Sequence, residues 1–343
     1  MTVDFSRADQ VVRQGLRDGA YTAACVLAGR GERVLMRRAY GRLSMDDDAP
    51  YTNEHTRFDL DSLTKPLVTG MLAMRAMEAG KLCLNDRLDT FVNAPEDKAG
   101  ITIAQLLTHT SGLITDLPLR EVCQTPDDAA QVILNAPLIS PPGEQVRYGS
   151  AGYLLLGQLL ECLYNMELSE LAMQEIFWPL KMTMTGYLPK DGNIAATEMQ
   201  DDGKCLQGIA HDDNARFLGG VSGHAGVFGT MDDLALWMQM IAAQGELPDG
   251  SQYLSKPTIR LMLRQLAPGR GLGFAFPAAD GFTGDLFPKE TIGHTGFTGC
   301  SAALDPTTGV YVVFLTNRVC PSRENLAIHR IRRLLHNAIY AAV

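Results

Sequence analysis

In the stretch FDLDSLTKPLVTG, Phe58 to Gly70, a serine and a lysine stand three residues apart: Ser62 and Lys65. The apolar residues around them fall at helical spacing, and residues three apart on a helix share a face, so both side chains point into one pocket. A serine hydroxyl is a poor nucleophile until a base takes its proton. A lysine amine serves as that base when burial or nearby positive charge lowers its pKa. Free N–H groups at a helix N-terminus would favour the negative charge that develops. The spacing alone is weak. With 12 Ser and 8 Lys in 343 residues, about 0.3 SxxK matches arise by chance; Ser62–Lys65 is the sole match. Pro66 lacks an N–H and would crowd the carbonyl of residue 62, which predicts irregular backbone bonding in this turn.

Two further stretches carry compatible chemistry. In Arg147-Tyr148-Gly149-Ser150, after a Pro-Pro-Gly turn and before an apolar run, Tyr148 sits at a loop–helix junction. A phenol beside an ammonium can give up its proton and act as base; alone, Tyr148 reads equally well as a packing residue with an exposed hydroxyl. In Gly293-His294-Thr295-Gly296, a strand of small residues, Gly296 would admit a substrate backbone closely. The Phe297 N–H would pair with that of Ser62 as an oxyanion hole; an ordinary glycine-containing strand is the plainer reading.

Other candidates carry less. His211 with Asp212 and Asp213 lacks a second histidine at ligand spacing and reads as a hydrogen-bonding loop, not a metal site. His224 in GHAG reads as structural or as cleft rim, and His109 in LLTHTSGL as satisfying turn backbone. No GxSxG, Walker loop, GxGxxG or HExxH occurs, so no cofactor is expected. Seven scattered cysteines, without a CxxC pair, predict reduced thiols.

These residues must be positioned by a chain of ordinary globular composition, 46% hydrophobic and 20% charged. A net charge of −9 argues against nucleic-acid binding. No apolar run reaches membrane-spanning length, and MTVDFSRADQ lacks the pattern of a signal peptide, so a cytoplasmic location is expected. The periodicity predicts a helix over 4–18, two strands around Gly-Arg-Gly, and a helix from 62 to Gly80. Helices are also expected at 152–166, at 231–243 behind Thr230 as N-cap, and from Glu324 to the C-terminus. GLGFAF, ETIGHTG, CSAALD and VYVVFLTN read as strands, the last three as an antiparallel meander. Both chain ends would then build one α/β lobe, 1–61 and 226–343, with an antiparallel sheet flanked by helices. Residues 62–225 would form an inserted, mainly helical lobe, and a cleft between the lobes would hold the site.

Taken in order, SxxK, Tyr-x-Ser and His-Thr-Gly resemble the serine β-lactamases and penicillin-binding proteins. More narrowly they resemble the class C β-lactamase branch, with its esterases and D-amino-acid peptidases. The resemblance covers most of the chain, including LLTHTSGL, PPGEQVRYGSAGYLLLGQLLE and GHTGFTGCSAALDPTTGVYVVFLTNR. HDDNARFLGGVSGHAG is similar to members associated with cell-wall fragments. The resemblance implies a β-lactamase/transpeptidase-like fold and a cofactor-free enzyme acting on a small ester, amide or peptide. It implies Ser62 as acylated nucleophile, Lys65 as the amine sharing its proton, and Tyr148 as general base. His294, Thr295 and Gly296 would line the acyl pocket, with Phe297 giving the second oxyanion N–H. Two positions depart from the family pattern. Ser150 stands where an asparagine is usual, removing an amide donor. His294 stands where β-lactamases carry lysine, and a neutral or partly charged imidazole binds a carboxylate less well. The expected activity is therefore hydrolysis of an ester or amide rather than strong β-lactamase action. The alternatives are a peptidase or amidase on muropeptide fragments, and a penicillin-recognising module that acylates without turnover.

Overall fold

The computed structural model describes residues 3–190, 192–277 and 281–343; the first two residues of the N-terminal stretch read above lie outside them. Helix α1 (Ser6–Arg17) leads into β1 (Ala23–Arg30) and β2 (Arg33–Gly41). A two-residue strand, β3 (Phe58–Asp59), precedes a 3₁₀ turn, Asp61–Leu63, then a π-helical segment, Lys65–Gly70, and α2 (Met71–Glu78). After several short helices come α3 (Ala151–Tyr164), β4 (Gly186–Tyr187), β5 (Val227–Gly229) and α4 (Met231–Ala242). The chain closes with β6 (Ile292–Thr295), β7 (Ser301–Leu304), β8 (Val310–Thr316) and α5 (Ile328–Tyr340).

The main sheet runs β2-β1-β8-β7-β6, antiparallel throughout, so the expected meander is present and the two chain ends meet as β1 pairs with β8. Period-2 alternation sends neighbouring side chains to opposite faces. Ala24, Val26, Val312 and Phe314 pack with Ile328, Ile331 and Leu335 of α5 and with Ala8 and Val12 of α1. Cys25, Leu27, Val313 and Leu315 join Trp237 and Met238 of α4 and the helices of the middle segment in the larger core. Burial on both faces explains why β1 and β8 read as nearly unbroken apolar runs.

Thr230 caps α4, its side chain accepting from Asp233 N–H, as its position before two acidic residues implied. Three expectations need correction. GLGFAF is not a strand: it is irregular apart from isolated bridges of Ala275 to Arg270 and to Gly293, because Gly273, at φ 89°, turns the chain out of extended conformation. The last helix starts at Ile328, past a turn, rather than at Glu324. A second sheet, β3-β5-β4, was not anticipated; its strands are two or three residues long, too short for periodicity to register.

Candidate active site

That small sheet fixes the approach to Ser62. Phe58 and Asp59 pair with Gly229 and Phe228, and Leu60 N–H donates to Val227 O at 2.9 Å. The chain then turns sharply at Asp61, whose φ is 47°. Ser62 sits in the 3₁₀ turn, and the widened π segment starts at Lys65 with Pro66 next. The irregularity expected from Pro66 is present: without its N–H the α-helical bond to residue 62 cannot form, and the ladder re-registers.

Lys65 Nζ lies 2.9 Å from Ser62 Oγ and 3.3 Å from the His224 carbonyl. The lysine is fully buried and has no carboxylate within ion-pair distance among the described residues. The His224 carbonyl is held by a buried chain in which His224 bridges Ser222 Oγ (2.7 Å) and Asp212 Oδ1 (2.8 Å). His224 is thus structural, and His211 is a loop residue bonded to Glu198 at 3.1 Å, as their contexts implied. No cluster of three or more metal-ligating residues occurs among the described residues.

Tyr148 is brought in by the loop before α3. Arg147 N–H donates to His109 O, Gly149 N–H to His109 Nδ1, and Ser150 N–H to Thr115 O. His109 therefore does satisfy backbone groups, and its ring, 4.6 Å from that of Tyr148, also supports the phenol. Burial first, then the Arg270 and Lys65 charges, holds the His109 pKa well below the usual imidazole value, consistent with Nδ1 acting as acceptor. Lys65 Nζ stands 5.1 Å and Arg270 Cζ 4.8 Å from the Tyr148 ring centroid. Ser150 faces the same cleft but makes no capping bond.

His294 is buried, and its Nδ1 lies 2.8 Å from Thr295 O. A carbonyl only accepts, so Nδ1 carries the proton and Nε2 is a bare acceptor without a partner among the described residues. Burial, Arg270 and Lys65 all push its pKa well below the usual range. His294 is therefore a neutral ring, not a stand-in for a lysine cation. A Cβ on Gly296 would meet Leu60 O at 2.3 Å, so the glycine admits the protein's own backbone, while the residue also lines the cavity beside Ser62. Phe297, half-exposed, lies between the His211 ring, stacked at 5.7 Å, and the Arg318 guanidinium, 4.2 Å from its centroid. The Ser62 and Phe297 N–H groups converge on one oxygen, Oδ1 of Asp61.

Ser62, Tyr148 and Phe297 stand between two cavities. One, about 410 Å³, continues past His294 to Arg270, Arg318 and Arg332. The other, about 400 Å³, is lined by Asp61, Asp116, Asp212 and Asp213 with Arg323. Among the described residues Arg270 makes no ion pair, and buried Arg332 donates to Gly299 O at 2.9 Å while its Nε has no partner. Sequence reasoning missed Arg270, Arg332 and Asp61. Arg270 lies in APGRGLGF, where adjacent glycines signal a loop rather than a strand; Arg332 looks like one charge among many on an amphipathic helix.

The chain matches the Beta-lactamase family over residues 8–336. It belongs to the β-lactamase family. It is 27% identical over 345 residues to an Escherichia coli (strain K12) protein carrying the provisional name D-alanyl-D-alanine carboxypeptidase, covering 88% of this chain and 79% of that one. It is also 27% identical over 361 residues to the N-acetylmuramyl-L-alanine amidase of Bacillus subtilis (strain 168), covering 92% and 81%. Among solved structures it superposes on EstCE1, a hydrolase with promiscuous acyltransferase activity, with a TM-score of 0.78, 25% identity and 97% of both chains covered. This β-lactamase-family chain is a serine hydrolase with the β-lactamase/transpeptidase-like fold.

Proposed function

We propose that this enzyme cleaves an ester or amide through an acyl-enzyme on Ser62, in a cleft between the α/β lobe and the helical lobe. The 2.9 Å contact of Lys65 Nζ with Ser62 Oγ carries this reading. The amine, buried and without a carboxylate partner among the described residues, takes the hydroxyl proton as Oγ attacks the carbonyl carbon. The carbonyl electron pair moves to oxygen, facing the N–H groups of Ser62 and Phe297. The proton passes by way of Tyr148 to the leaving oxygen or nitrogen. Water then attacks the acyl group, giving its proton back through the same bases, and Ser62 departs as a hydroxyl.

A second reading is favoured by Arg270 and Arg332: a peptidase or amidase whose substrate, such as a muropeptide fragment, carries a free carboxylate. Neutral His294 cannot serve that anion, whereas a guanidinium can bind it with two parallel bonds. The names of the two curated relatives agree with this alternative.

Steady-state turnover of p-nitrophenyl acetate and butyrate, nitrocefin and a D-Ala-D-Ala peptide, by wild type and Ser62→Ala, tests both. The proposal expects ester or peptide turnover that falls by about 10⁴-fold or more in Ser62→Ala. Turnover surviving in the variant would exclude Ser62 as nucleophile. A single burst equal to the enzyme concentration would mark a module that acylates without turnover.

A further inference from the structure

The hydrogen-bond donors assigned above to the oxyanion hole are occupied. Ser62 N–H and Phe297 N–H, the latter at 3.2 Å, both donate to Asp61 Oδ1. One carboxylate oxygen thus sits where two N–H groups converge, the place an attacked carbonyl oxygen has to take. The turn that carries this side chain is held in place. The backbone N–H of Asp61 donates to Asp59 Oδ1 at 2.9 Å, and the residue is 3% exposed. Its backbone lies at φ 47°, a region that aspartate tolerates better than most residues. The neighbouring carbonyl of Leu60 is seated against Gly296, so the turn is braced on the strand side as well.

An anionic oxygen there competes with the neutral carbonyl of a substrate. It would also repel the oxyanion of the transition state, so it has to leave before Ser62 can be acylated efficiently. We propose that Asp61 is a specificity-determining residue: its carboxylate closes the oxyanion hole, and a substrate opens it only when contacts elsewhere in the cleft supply the binding energy to displace it. Binding energy from remote parts of a substrate is commonly used in this way to reorganise the reacting centre. The contact available is in the neighbouring cavity, where Arg270 makes no ion pair among the described residues. The favoured substrate class is therefore an ester or amide carrying a carboxylate, and a small neutral ester is the disfavoured one. The inference rests on the Ser62 acyl-enzyme reading.

The test is the rate of Ser62 acylation by two esters sharing a leaving group, p-nitrophenyl acetate and mono-p-nitrophenyl glutarate, followed by stopped-flow release and intact mass. Wild type is compared with Asp61→Gly, which adopts a positive φ freely, and with Asp61→Asn, which keeps the shape and loses the charge. The acetate rate should rise at least about tenfold in Asp61→Gly and by less in Asp61→Asn. The glutarate rate should rise by a smaller factor, so that the preference for the carboxylate ester narrows. An acetate rate unchanged or lower in the folded variants overturns the proposal, and Asp61→Asn decides the matter if Asp61→Gly does not fold. Equal gains with both esters overturn the role given to anchoring. Acylation persisting in Asp61→Gly/Ser62→Ala would instead sink the nucleophile assignment.

Discussion

At the scale of single residues, protonation decides what each group can do. His294 donates through Nδ1 to Thr295 O, and it is buried beside Arg270 and Lys65. Burial and the two cations disfavour a second proton, and only the carbonyl bond favours it. The sign is therefore plain: the ring is neutral above its lowered pKa and charges only well below the ordinary 6.5. In an NMR titration its Cε1–H resonance should stay fixed from about pH 5.5 to 8, whereas an exposed histidine moves through that range. A His294 shift titrating near 6.5 would mean that the pocket is wetter or less cationic than described. The neutrality was half legible, since the sequence named a histidine where relatives carry lysine. Its cause was not, because Arg270 reaches the ring only through a loop folded back from 24 residues upstream. Asp61 was equally hidden: the sequence shows a carboxylate beside Ser62, but not the positive φ that turns it onto the N–H groups.

At the scale of elements, the site depends on a join between the Asp61–Leu63 turn and the end of β6. Gly296 makes that join possible, because a Cβ would stand 2.3 Å from Leu60 O. In Gly296→Ala the strand end must retreat, carrying the Phe297 N–H away from that of Ser62. The expected outcome is a loss of about 10²-fold or more in kcat/KM, with far-UV circular dichroism unchanged. Full activity in a folded Gly296→Ala would contradict the close approach. Elements with strong local signals were legible: α1, α3, α4 and the terminal meander follow from period and caps. Irregular bonding near Ser62 was expected from Pro66, but its form, a 3₁₀ turn running into a π segment, was not. GLGFAF misled because apolar residues at alternate positions suggest a strand while Gly273, at φ 89°, takes a backbone angle that a strand excludes.

At the scale of the whole molecule, α1 and α5 close one face of the sheet, and their core holds a buried histidine, His336, whose ring lies 5.6 Å from that of Phe287. Neither ring nitrogen has a partner among the described residues. Burial, with Arg332 nearby, lowers its pKa to about 3. Between that value and the unfolded 6.5 the unfolded chain binds the proton and the folded one does not, so this residue's stability contribution is full above 6.5 and is lost as pH falls. His336→Leu should raise stability at about pH 5 by about 1–3 kcal/mol and flatten the acid side of the curve. Denaturant melts at several pH values would show it; a variant less stable than wild type at pH 5 would mean that the ring has a partner after all. The sequence placed His336 on the last helix, but could not say that Phe287, from the loop before β6, packs against its ring.

The central claim is that Ser62 becomes acylated, and peptide mapping by mass spectrometry after rapid acid quench of wild type with p-nitrophenyl acetate tests it most directly. The expected result is an acetyl group on the peptide containing Ser62, at Ser62 itself, and its absence from Ser62→Ala treated identically. An acetyl group on another residue alone, with turnover intact, would contradict it.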